Sequence, residues 1–345
     1  MQLSDFDYDL PEELIAQEPL PERDASRMLV VDRKTQTWAD TAFRSFSEYI
    51  KPKDVVVVNN TRVFPARLIG QRDPSGGRVE VLLVREVEKS TWEALVRPAH
   101  RLKLGSRVRF GDLLRAEVVQ DASNHGFRYL QFQGEVPIEE LIDRLGLTPL
   151  PPYIKRPTGD SIEDRTRYQT VFAQVRGAIA APTAGLHFTP QVSDAIRDRG
   201  GKVAELTLHV GYGTFEPVRV DNISDHRVGS EFFEISVSTA RLVNAARQEG
   251  GRVIAVGTTT TRALEASVKD DGNVEPRRGE TDLTITPGYK FRVVDALLTN
   301  FHLPKSSLLL LVSAFAGREL TMNAYRFAVA DRFRFYSYGD CMLVM

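Results

Sequence analysis

Two hydrophobic patterns divide the chain, and they predict different kinds of structure. In the middle of the sequence, short runs alternate apolar and polar residues, beginning with Arg78-Val79-Glu80-Val81. Similar runs follow at 92–96, 107–110, 114–119 and 127–132. Turn residues separate several of them, namely Gly105, Gly111 and the string Asn124-His125-Gly126. Closely spaced strands without intervening helices predict a small antiparallel barrel.

Outside this region, helical patterns alternate with buried strands. The run Val55-Val56-Val57-Val58 is typical of a strand buried on both faces. Residues 138–145 place their apolar side chains on one helical face, and Gly146 follows as a stop. Thr189-Pro190 predicts a helix start, with a strand over 202–210 after it. Another helix (238–249) and strand (252–256) repeat the order, which indicates a mostly parallel α/β layer.

The α/β pattern occurs on both sides of the barrel region, so we expect the barrel to be an insertion. The predicted fold is a mostly parallel α/β domain with an inserted small antiparallel β-barrel domain. Residues 1–63 and 150–345 would form a discontinuous α/β catalytic domain. Residues 64–149 would form the barrel with a trailing helix. The joins would fall near Pro65 and near the proline-rich linker at 149–152.

Composition narrows the class of protein. The 345 residues hold 45 Lys and Arg against 46 Asp and Glu, a net charge of −1, so a nucleic acid could be met only by a local basic patch. The single cysteine, Cys341, excludes an internal disulfide, and the scattered histidines argue against a metal site. The N-terminus does not resemble a signal peptide, and the longest apolar run, 308–316, is far short of a membrane span. We therefore expect a cytoplasmic monomer with no metal and no membrane partner.

A run of threonines after a buried strand is the sharpest local signal. The strand over 253–256 leads into Gly257-Thr258-Thr259-Thr260-Thr261-Arg262. Hydroxyls and free N–H groups at a helix start suit an anion or a ribose. Alternatively, the hydroxyls bond to the local backbone and only cap the helix. The sequence leaves both interpretations open.

Three histidines lie near predicted strand or helix ends, where α/β enzymes place their chemistry. His187 follows a run of small residues that includes Gly185, His209 precedes a Gly-x-Gly turn, and His302 follows Phe301 in a third turn. A neutral imidazole can take or give a proton near pH 7. Each histidine could instead be a packed, hydrogen-bonded core residue.

Basic residues are concentrated in the barrel region. Between residues 95 and 115 six Lys and Arg side chains face one acidic residue, a local charge of +5. A second basic set, beginning with Lys155 and Arg156, follows the proline-rich linker. This pattern predicts a nucleic-acid surface, or else a solvated strand face.

Several longer strings together carry a resemblance to a known family. They are residues 5–11 (Asp-Phe-Asp-Tyr-Asp-Leu-Pro), 59–63 (Asn-Asn-Thr-Arg-Val), 182–188 (Pro-Thr-Ala-Gly-Leu-His-Phe), 257–262, 301–304 (Phe-His-Leu-Pro), 314–317 (Ala-Phe-Ala-Gly) and 336–340 (Tyr-Ser-Tyr-Gly-Asp). With them the chain resembles, from end to end, the S-adenosylmethionine:tRNA ribosyltransferase-isomerases of queuosine biosynthesis.

The resemblance implies an unusual reaction. The ribosyl part of S-adenosylmethionine is transferred to 7-aminomethyl-7-deazaguanine at the wobble position of tRNA, and it rearranges to give epoxyqueuosine. Adenine and methionine leave. S-adenosylmethionine is a co-substrate, and neither a cofactor nor a metal is implied. The family fold, an α/β domain with an inserted β-barrel, agrees with the pattern above.

The resemblance and the chemistry together predict three groups of site residues. The catalytic candidates are His187 and His209, with Glu231 as the alternative carboxylate. The predicted S-adenosylmethionine site comprises Gly185, Gly257, Thr258, Thr259, Arg262, Phe301 and His302. The predicted tRNA site comprises Arg97, Arg101, Lys103, Arg107, Lys155 and Arg156.

Two other functions remain as alternatives. The threonine-rich turn would also fit a phosphate-binding transferase of ordinary α/β type. The basic barrel segment would fit an RNA-binding adaptor without catalysis, which would bind RNA but release no adenine. An ordinary methyltransferase is disfavoured, because no Gly-x-Gly-x-Gly loop follows an early strand.

Overall fold

A computed structural model describes residues 1–121, 126–156, 159–215 and 217–345. The turn predicted at Asn124-His125 lies outside the described residues. The strands are β1 (Arg27–Asp32), β2 (Thr37–Ala42), β3 (Val55–Asn59), β4 (Thr61–Val63), β5 (Arg67–Asp73), β6 (Arg78–Glu88), β7 (Thr91–Arg97), β8 (Arg107–Phe110), β9 (Leu114–Asp121), β10 (Phe127–Gly134), β11 (Val175–Ala178), β12 (Lys202–Leu208), β13 (Glu231–Ile235), β14 (Val253–Val256), β15 (Arg277–Thr281), β16 (Ala296–Asn300) and β17 (Cys341–Val344). The helices are α1 (Ile138–Leu145), α2 (Ile162–Arg167), α3 (Pro190–Asp198), α4 (Val237–Gln248), α5 (Thr258–Ala266), α6 (Ser307–Ala316) and α7 (Arg318–Ala330).

The larger sheet has the strand order β15-β13-β12-β3-β14-β16-β17-β1-β2. Its four central strands, β12, β3, β14 and β16, are parallel, whereas β13, β15 and β2 pair antiparallel at the edges. The predicted α/β layer is confirmed, with parallel pairing confined mainly to its centre. Every residue of β3, β14 and β16 is buried, as the run of valines at 55–58 predicts.

The carboxyl ends of the four central parallel strands lie along the same side of the sheet, which we call its carboxyl edge. The chain connections leave this edge in opposite directions on the two sides of β3. From β3 the chain continues to β12 on one side, and later it returns to β14 on the other side of β3. Parallel α/β sheets bind ligands outside the carboxyl ends of their strands, at such a switch point. This carboxyl edge is therefore where the fold favours a site.

The region rich in short strands forms a closed barrel in the order β10-β7-β6-β5-β8-β9. The predicted antiparallel barrel is confirmed, because all of its pairings are antiparallel. Helix α1 places Leu141 and Ile142 in the barrel core. Gly146 ends this helix, where an added Cβ would lie 1.9 Å from the carbonyl oxygen of Pro65. The domain boundaries at 63/64 and 149/150 stay a prediction.

The predicted helices are found close to their expected places. Thr189 caps α3 by accepting a hydrogen bond from the backbone N–H of Val192, and Pro190 is its first residue. Helix α4 lies within one residue of the segment predicted at 238–249, and α6 covers the apolar run at 308–316. Among the described residues, no helix has the length and apolar character needed to cross a membrane.

Candidate active site

A cleft of about 1250 Å³ separates the barrel from the carboxyl edge of the sheet. We call it the barrel–sheet cleft. Strands β6, β7 and β10 form one wall, and the other wall is the segment after β12 together with the start of β13. Half-buried aromatic side chains face it from both walls, namely Phe127, Tyr129, Tyr212 and Phe232. Phe127 of the barrel and Tyr212 of the opposite wall meet edge to face, with ring centres 5.7 Å apart.

His209 lines this cleft just beyond the end of β12. Its Nδ1 lies 2.8 Å from the Oγ1 of Thr61, and its ring stacks on Phe232 at 5.2 Å. The Thr61 hydroxyl also lies 3.5 Å from the carbonyl oxygen of Val175, at the outer limit of a hydrogen bond. In the tautomer that donates Nδ1–H to this hydroxyl, Nε2 is the unprotonated nitrogen. Burial lowers the pKa of His209, which keeps the ring neutral near pH 7.

Gly177 fixes the position of the His209 ring. A Cβ added at Gly177 would lie 2.5 Å from His209 Nε2, so only glycine lets the backbone of β11 approach the imidazole so closely. β11 in turn pairs with β4, which carries Thr61. The same small sheet therefore supplies both the hydrogen-bond partner and the steric wall of the histidine.

Glu231 and Arg262 form an ion pair at the base of the cleft. Both residues line it, and both are 6% exposed. One carboxylate oxygen of Glu231 accepts from the backbone N–H of Gly211 at 2.9 Å, and the other accepts from Arg262 Nη2. The ion pair couples the start of β13 to helix α5. Glu231 thus positions the guanidinium that the sequence assigned to S-adenosylmethionine.

His187 lies in a different place from His209. It contacts Ser26, which precedes β1, through Nδ1 at 2.7 Å, and its short segment packs against β16. Three strand positions separate β16 from β12, which at ~4.8 Å per strand is roughly 14 Å. Burial lowers the pKa of His187 to about 4, so it is neutral. The two catalytic candidates therefore do not converge on one reacting atom.

The threonine-rich turn adopts the local bonding that the sequence offered as an alternative. Thr260 and Thr261 donate to the carbonyls of Val256 and Gly257, four residues earlier. Gly257 has a φ of 95°, which allows the sharp turn from β14 into α5. Thr258 and Thr259 are 6% and 7% exposed at the switch point of the sheet. Their role in binding stays a prediction.

Phe301 and His302 are packed into the core rather than into the barrel–sheet cleft. Phe301 is fully buried against the rings of Tyr325, Phe333 and Phe335. His302 Nε2 lies 2.8 Å from the Thr299 hydroxyl, and burial lowers its pKa to about 3. Gly185 is likewise buried, in the segment before His187. These three residues support the sheet edge, and their predicted contact with S-adenosylmethionine stays untested.

The predicted basic patch is spread around the barrel. Arg97 ends β7 and Arg107 begins β8, and these strands lie on opposite sides of the closed barrel. Arg101 and Lys103 are exposed in the connection between them. Arg107 pairs with Glu117 at 3.0 Å. The +5 segment therefore extends around the barrel and does not form a single face.

The second basic set is largely occupied by internal contacts. Arg156 donates two hydrogen bonds of 2.9 Å to the carboxylate of Asp164 and also pairs with Glu18 at 3.1 Å. Lys155 pairs with Glu12 and is 69% exposed at its side chain. The side chain of Lys155 is therefore more accessible to an external partner than that of Arg156. Binding of tRNA by either residue stays a prediction.

The sequence did not assign several residues of the cleft to the site. Arg219, Arg227 and Tyr212 line it, as do Arg176, which belongs to the basic set after the proline-rich linker, and His226, which forms a polar group with Asp225 in the sequence. His226 Nε2 lies 2.7 Å from the Ser307 hydroxyl, which links this wall to the start of α6. The Asp225-His226 pair was visible in the sequence, but its neighbourhood to β12 and to α6 depends on the fold. Within the described ranges, no three His, Cys, Asp or Glu side chains are grouped to hold a metal ion.

Comparison with known proteins assigns the family. A sequence model of the family described as "Queuosine biosynthesis protein" matches residues 3–344. The chain belongs to this family. A protein of Halothermothrix orenii named S-adenosylmethionine:tRNA ribosyltransferase-isomerase is 49% identical over 345 residues, and one of the same name from Symbiobacterium thermophilum is 50% identical. Both matches cover 100% of each chain.

A solved structure agrees with the fold of this family member. The crystal structure of S-adenosylmethionine tRNA ribosyltransferase from Thermotoga maritima is 37% identical in sequence, with a TM-score of 0.55. The match covers 99% of this chain and 100% of that one. The resemblance seen in the sequence strings is therefore confirmed.

Proposed function

We propose that this protein is an S-adenosylmethionine:tRNA ribosyltransferase-isomerase. It transfers and isomerises the ribosyl part of S-adenosylmethionine onto 7-aminomethyl-7-deazaguanine at the wobble position of tRNA. The product is epoxyqueuosine, and adenine and methionine are released. Full-length relatives of this name, about half identical to the chain, support the proposal. We expect the enzyme to act in the cytoplasm, where its tRNA substrate is found.

One structural observation carries the proposal furthest. A neutral histidine, His209, lies in a cleft of about 1250 Å³ between a barrel and the carboxyl edge of a parallel sheet. Such a cleft can admit a nucleobase from outside, and half-buried aromatic rings such as Phe127 and Tyr129 offer it stacking surfaces. This combination fits a reaction on an RNA base better than a reaction on a free sugar phosphate.

The geometry suggests how the reaction begins. The sulfonium of S-adenosylmethionine acidifies the hydrogens on the adjacent ribose carbon, and the attacking amine also has to lose a proton. In the tautomer that donates Nδ1–H to Thr61, His209 can accept either proton at Nε2. Arg262, fixed by Glu231, supplies donors toward the ribose or the departing adenine. Gly257, Thr258 and Thr259 would hold the central part of the co-substrate at the switch point.

The test is a product assay. The protein is incubated with S-adenosylmethionine and tRNA that carries the aminomethyl base, and adenine, methionine and transfer of ribosyl label to tRNA are followed. We expect all three together, and no loss of turnover on treatment with EDTA. RNA binding without adenine release would instead favour the adaptor alternative. Tight binding of sugar phosphates but not of S-adenosylmethionine would favour the ordinary transferase.

Two histidine variants test the assignment of the base. His209→Ala should lower kcat by roughly 10²–10⁴-fold, the usual range for loss of general acid–base catalysis. The exposed His100, on the barrel, provides a matched control, and His100→Ala should keep full activity. Full specific activity in folded His209→Ala would remove this residue from the mechanism and shift the assignment to His187.

A further inference from the structure

A second cavity also lies along the carboxyl edge of the sheet, at the end opposite to the barrel–sheet cleft. It measures about 30 Å³, which is room for one or two water molecules or a carboxylate group. We call it the His187 cavity. Its polar lining consists of Arg23, Ser26, Arg167, His187, Ser337 and Tyr338. These residues come from widely separated parts of the chain, so the cavity is a product of the fold.

The cavity gathers positive charge without an acidic partner of its own. Arg23 donates to the carbonyls of Leu186 and Thr166, and Arg167 donates to those of Leu20 and Pro21. Among the residues that the structure describes, neither guanidinium forms an ion pair with a carboxylate. Both guanidinium groups are half-buried, so their like charges repel each other, and burial together with Arg167 lowers the pKa of Arg23. An anion would relieve this repulsion.

One carboxylate lies nearby, but the backbone already occupies it. Asp340 accepts hydrogen bonds from the backbone N–H groups of Arg27 and Arg334, at 2.9 Å and 2.7 Å. The side chain of Arg334, next to His187, donates to the carbonyl of Glu18. Asp340 therefore holds the chain in place around the cavity, while the arginines that face the cavity remain uncompensated.

Two polar atoms of the lining, Arg167 Nε and the hydroxyl of Tyr338, are buried without a hydrogen-bond partner within the described part of the chain. His187 Nε2 also lacks a well-formed hydrogen bond, and its nearest side-chain partner is the amide of Asn300. His187 and Tyr338 are 4% and 5% exposed. Buried polar groups in folded proteins are almost always paired, and an unpaired one is costly. Two unpartnered donors beside a weakly bonded imidazole in one cavity are the pattern expected of a site that a ligand completes.

The position of the cavity connects it to the reaction. Its neighbour along the sheet edge is the Gly257 turn, because a Cβ on Gly257 would lie 3.8 Å from Ala184 Cβ, in the segment that carries His187. Along the carboxyl edge, this turn is followed by the ends of β3 and β12, and His209 lies just after the end of β12. In S-adenosylmethionine the amino-acid carboxylate and the reacting ribose are at opposite ends of a flexible chain. The molecule can therefore lie along the edge, with one end at each site.

We propose that the His187 cavity binds the carboxylate of the methionine end of S-adenosylmethionine and so positions the ribose near His209. This inference rests on the proposed function. Arg23 and Arg167 would supply the positive charge, and His187 and Tyr338 would donate hydrogen bonds to the carboxylate oxygens. His187 is then a substrate-binding residue, and His209 alone remains as the histidine base.

The experiment compares S-adenosylmethionine with its decarboxylated analogue by calorimetry. Tyr338→Phe removes only the unpartnered hydroxyl, so thermal stability should stay unchanged. It should weaken S-adenosylmethionine binding about tenfold, the loss expected for a hydrogen bond to a charged group, and leave the analogue unaffected. Tyr289→Phe is the matched control, because that hydroxyl bonds to Glu265 at 3.2 Å outside the cavity, and it should not change either affinity.

Other outcomes would overturn the proposal. Equal affinity of the unaltered protein for both ligands would show that the carboxylate is not recognised. Equal weakening of both ligands by Tyr338→Phe would assign the hydroxyl another role. Competition of inorganic phosphate with tRNA, together with weaker tRNA binding by Tyr338→Phe and unchanged S-adenosylmethionine binding, would assign the anion to an RNA phosphate. Adenine release by the unaltered protein with modified tRNA is measured separately, so failure of the proposed reaction is distinguishable from failure of the cavity.

Discussion

The ion pair between Glu231 and Arg262 allows a stability prediction to be derived from the geometry. Glu231→Gln keeps the size of the side chain and an oxygen that can accept from the Gly211 N–H, but it removes the negative charge. Arg262 is 6% exposed, so its guanidinium would remain buried without a counter-charge. Breaking a buried pair in this way costs about 3–5 kcal/mol. Because the Gly211 bond survives, we expect about 3 kcal/mol of destabilisation.

Urea denaturation of the variant, followed by circular dichroism, measures this loss. A second variant tests the cause. The double change Glu231→Gln and Arg262→Met removes both charges, and replacement of a whole buried pair by uncharged side chains is often neutral. The double variant should therefore recover most of the lost stability. It should still bind S-adenosylmethionine poorly, because Arg262 lines the cleft.

A small effect would refute the reasoning. If Glu231→Gln lowered the free energy of unfolding by less than about 1 kcal/mol, the pair would behave like an exposed ion pair. Equal destabilisation of the single and double variants would show that the charge of Arg262 is not the cause. Normal adenine release by folded double variant would remove both residues from the site.

Three further predictions follow from the histidines and the barrel. Burial lowers the pKa of His187 to about 4 and that of His302 to about 3. As the pH falls, these histidines are protonated in the unfolded chain before they are protonated in the folded protein, so the free energy of unfolding decreases below about pH 6.5. Urea denaturation should show that each histidine lowers the free energy of unfolding by about 2 kcal/mol at pH 5 relative to pH 7.5. Replacing His302 by Leu should make that pH dependence shallower, and an unchanged slope would contradict the assignment. Gly177→Ala should displace the His209 ring and lower kcat at least tenfold. Gly279→Ala is the control, because an added Cβ there meets open space, and it should leave kcat unchanged. Equal rates in the two variants would contradict the steric argument. The triple variant in which Arg101, Lys103 and Arg107 are changed to Gln should bind tRNA more weakly and with a flatter salt dependence, while its affinity for S-adenosylmethionine should not change. Parallel salt lines of equal height for the unaltered protein and the variant would favour the interpretation of a solvated strand face.

The barrel and the main helices could be predicted because their signals are local. Alternation of apolar and polar residues at 78–81 reports directly which side chains enter the barrel core, and β6 buries Val79, Val81 and Leu83. Thr189-Pro190 and Gly146 act on their own backbone segments, so their roles as helix start and stop are visible without knowledge of the fold. Such features depend on residues within a few positions of each other.

The candidate site could be predicted only in part, because its contacts join distant residues. Ser26 and His187 are 161 positions apart, and Thr61 and His209 are 148 apart. The sequence identified both histidines as candidates, but nothing in their local strings distinguishes one beside Thr61 from one beside Ser26. Arg23 carried no signal at all, since a lone arginine in a loop has no pattern. Its importance comes from the cavity that the fold builds around it.

Charge counting along the sequence shows how many basic residues a segment holds but not where they lie in space. The barrel segment has a net charge of +5, yet Arg97 on β7 and Arg107 on β8 lie on opposite sides of the barrel. A field that attracts a polyanion depends on where the charges lie in space. The cleft-facing cations Arg176, Arg219 and Arg227 are scattered through the sequence but face the same cleft. An RNA that places its base near His209 would therefore meet these three arginines first, and the barrel arginines would contact only more distant parts of the molecule.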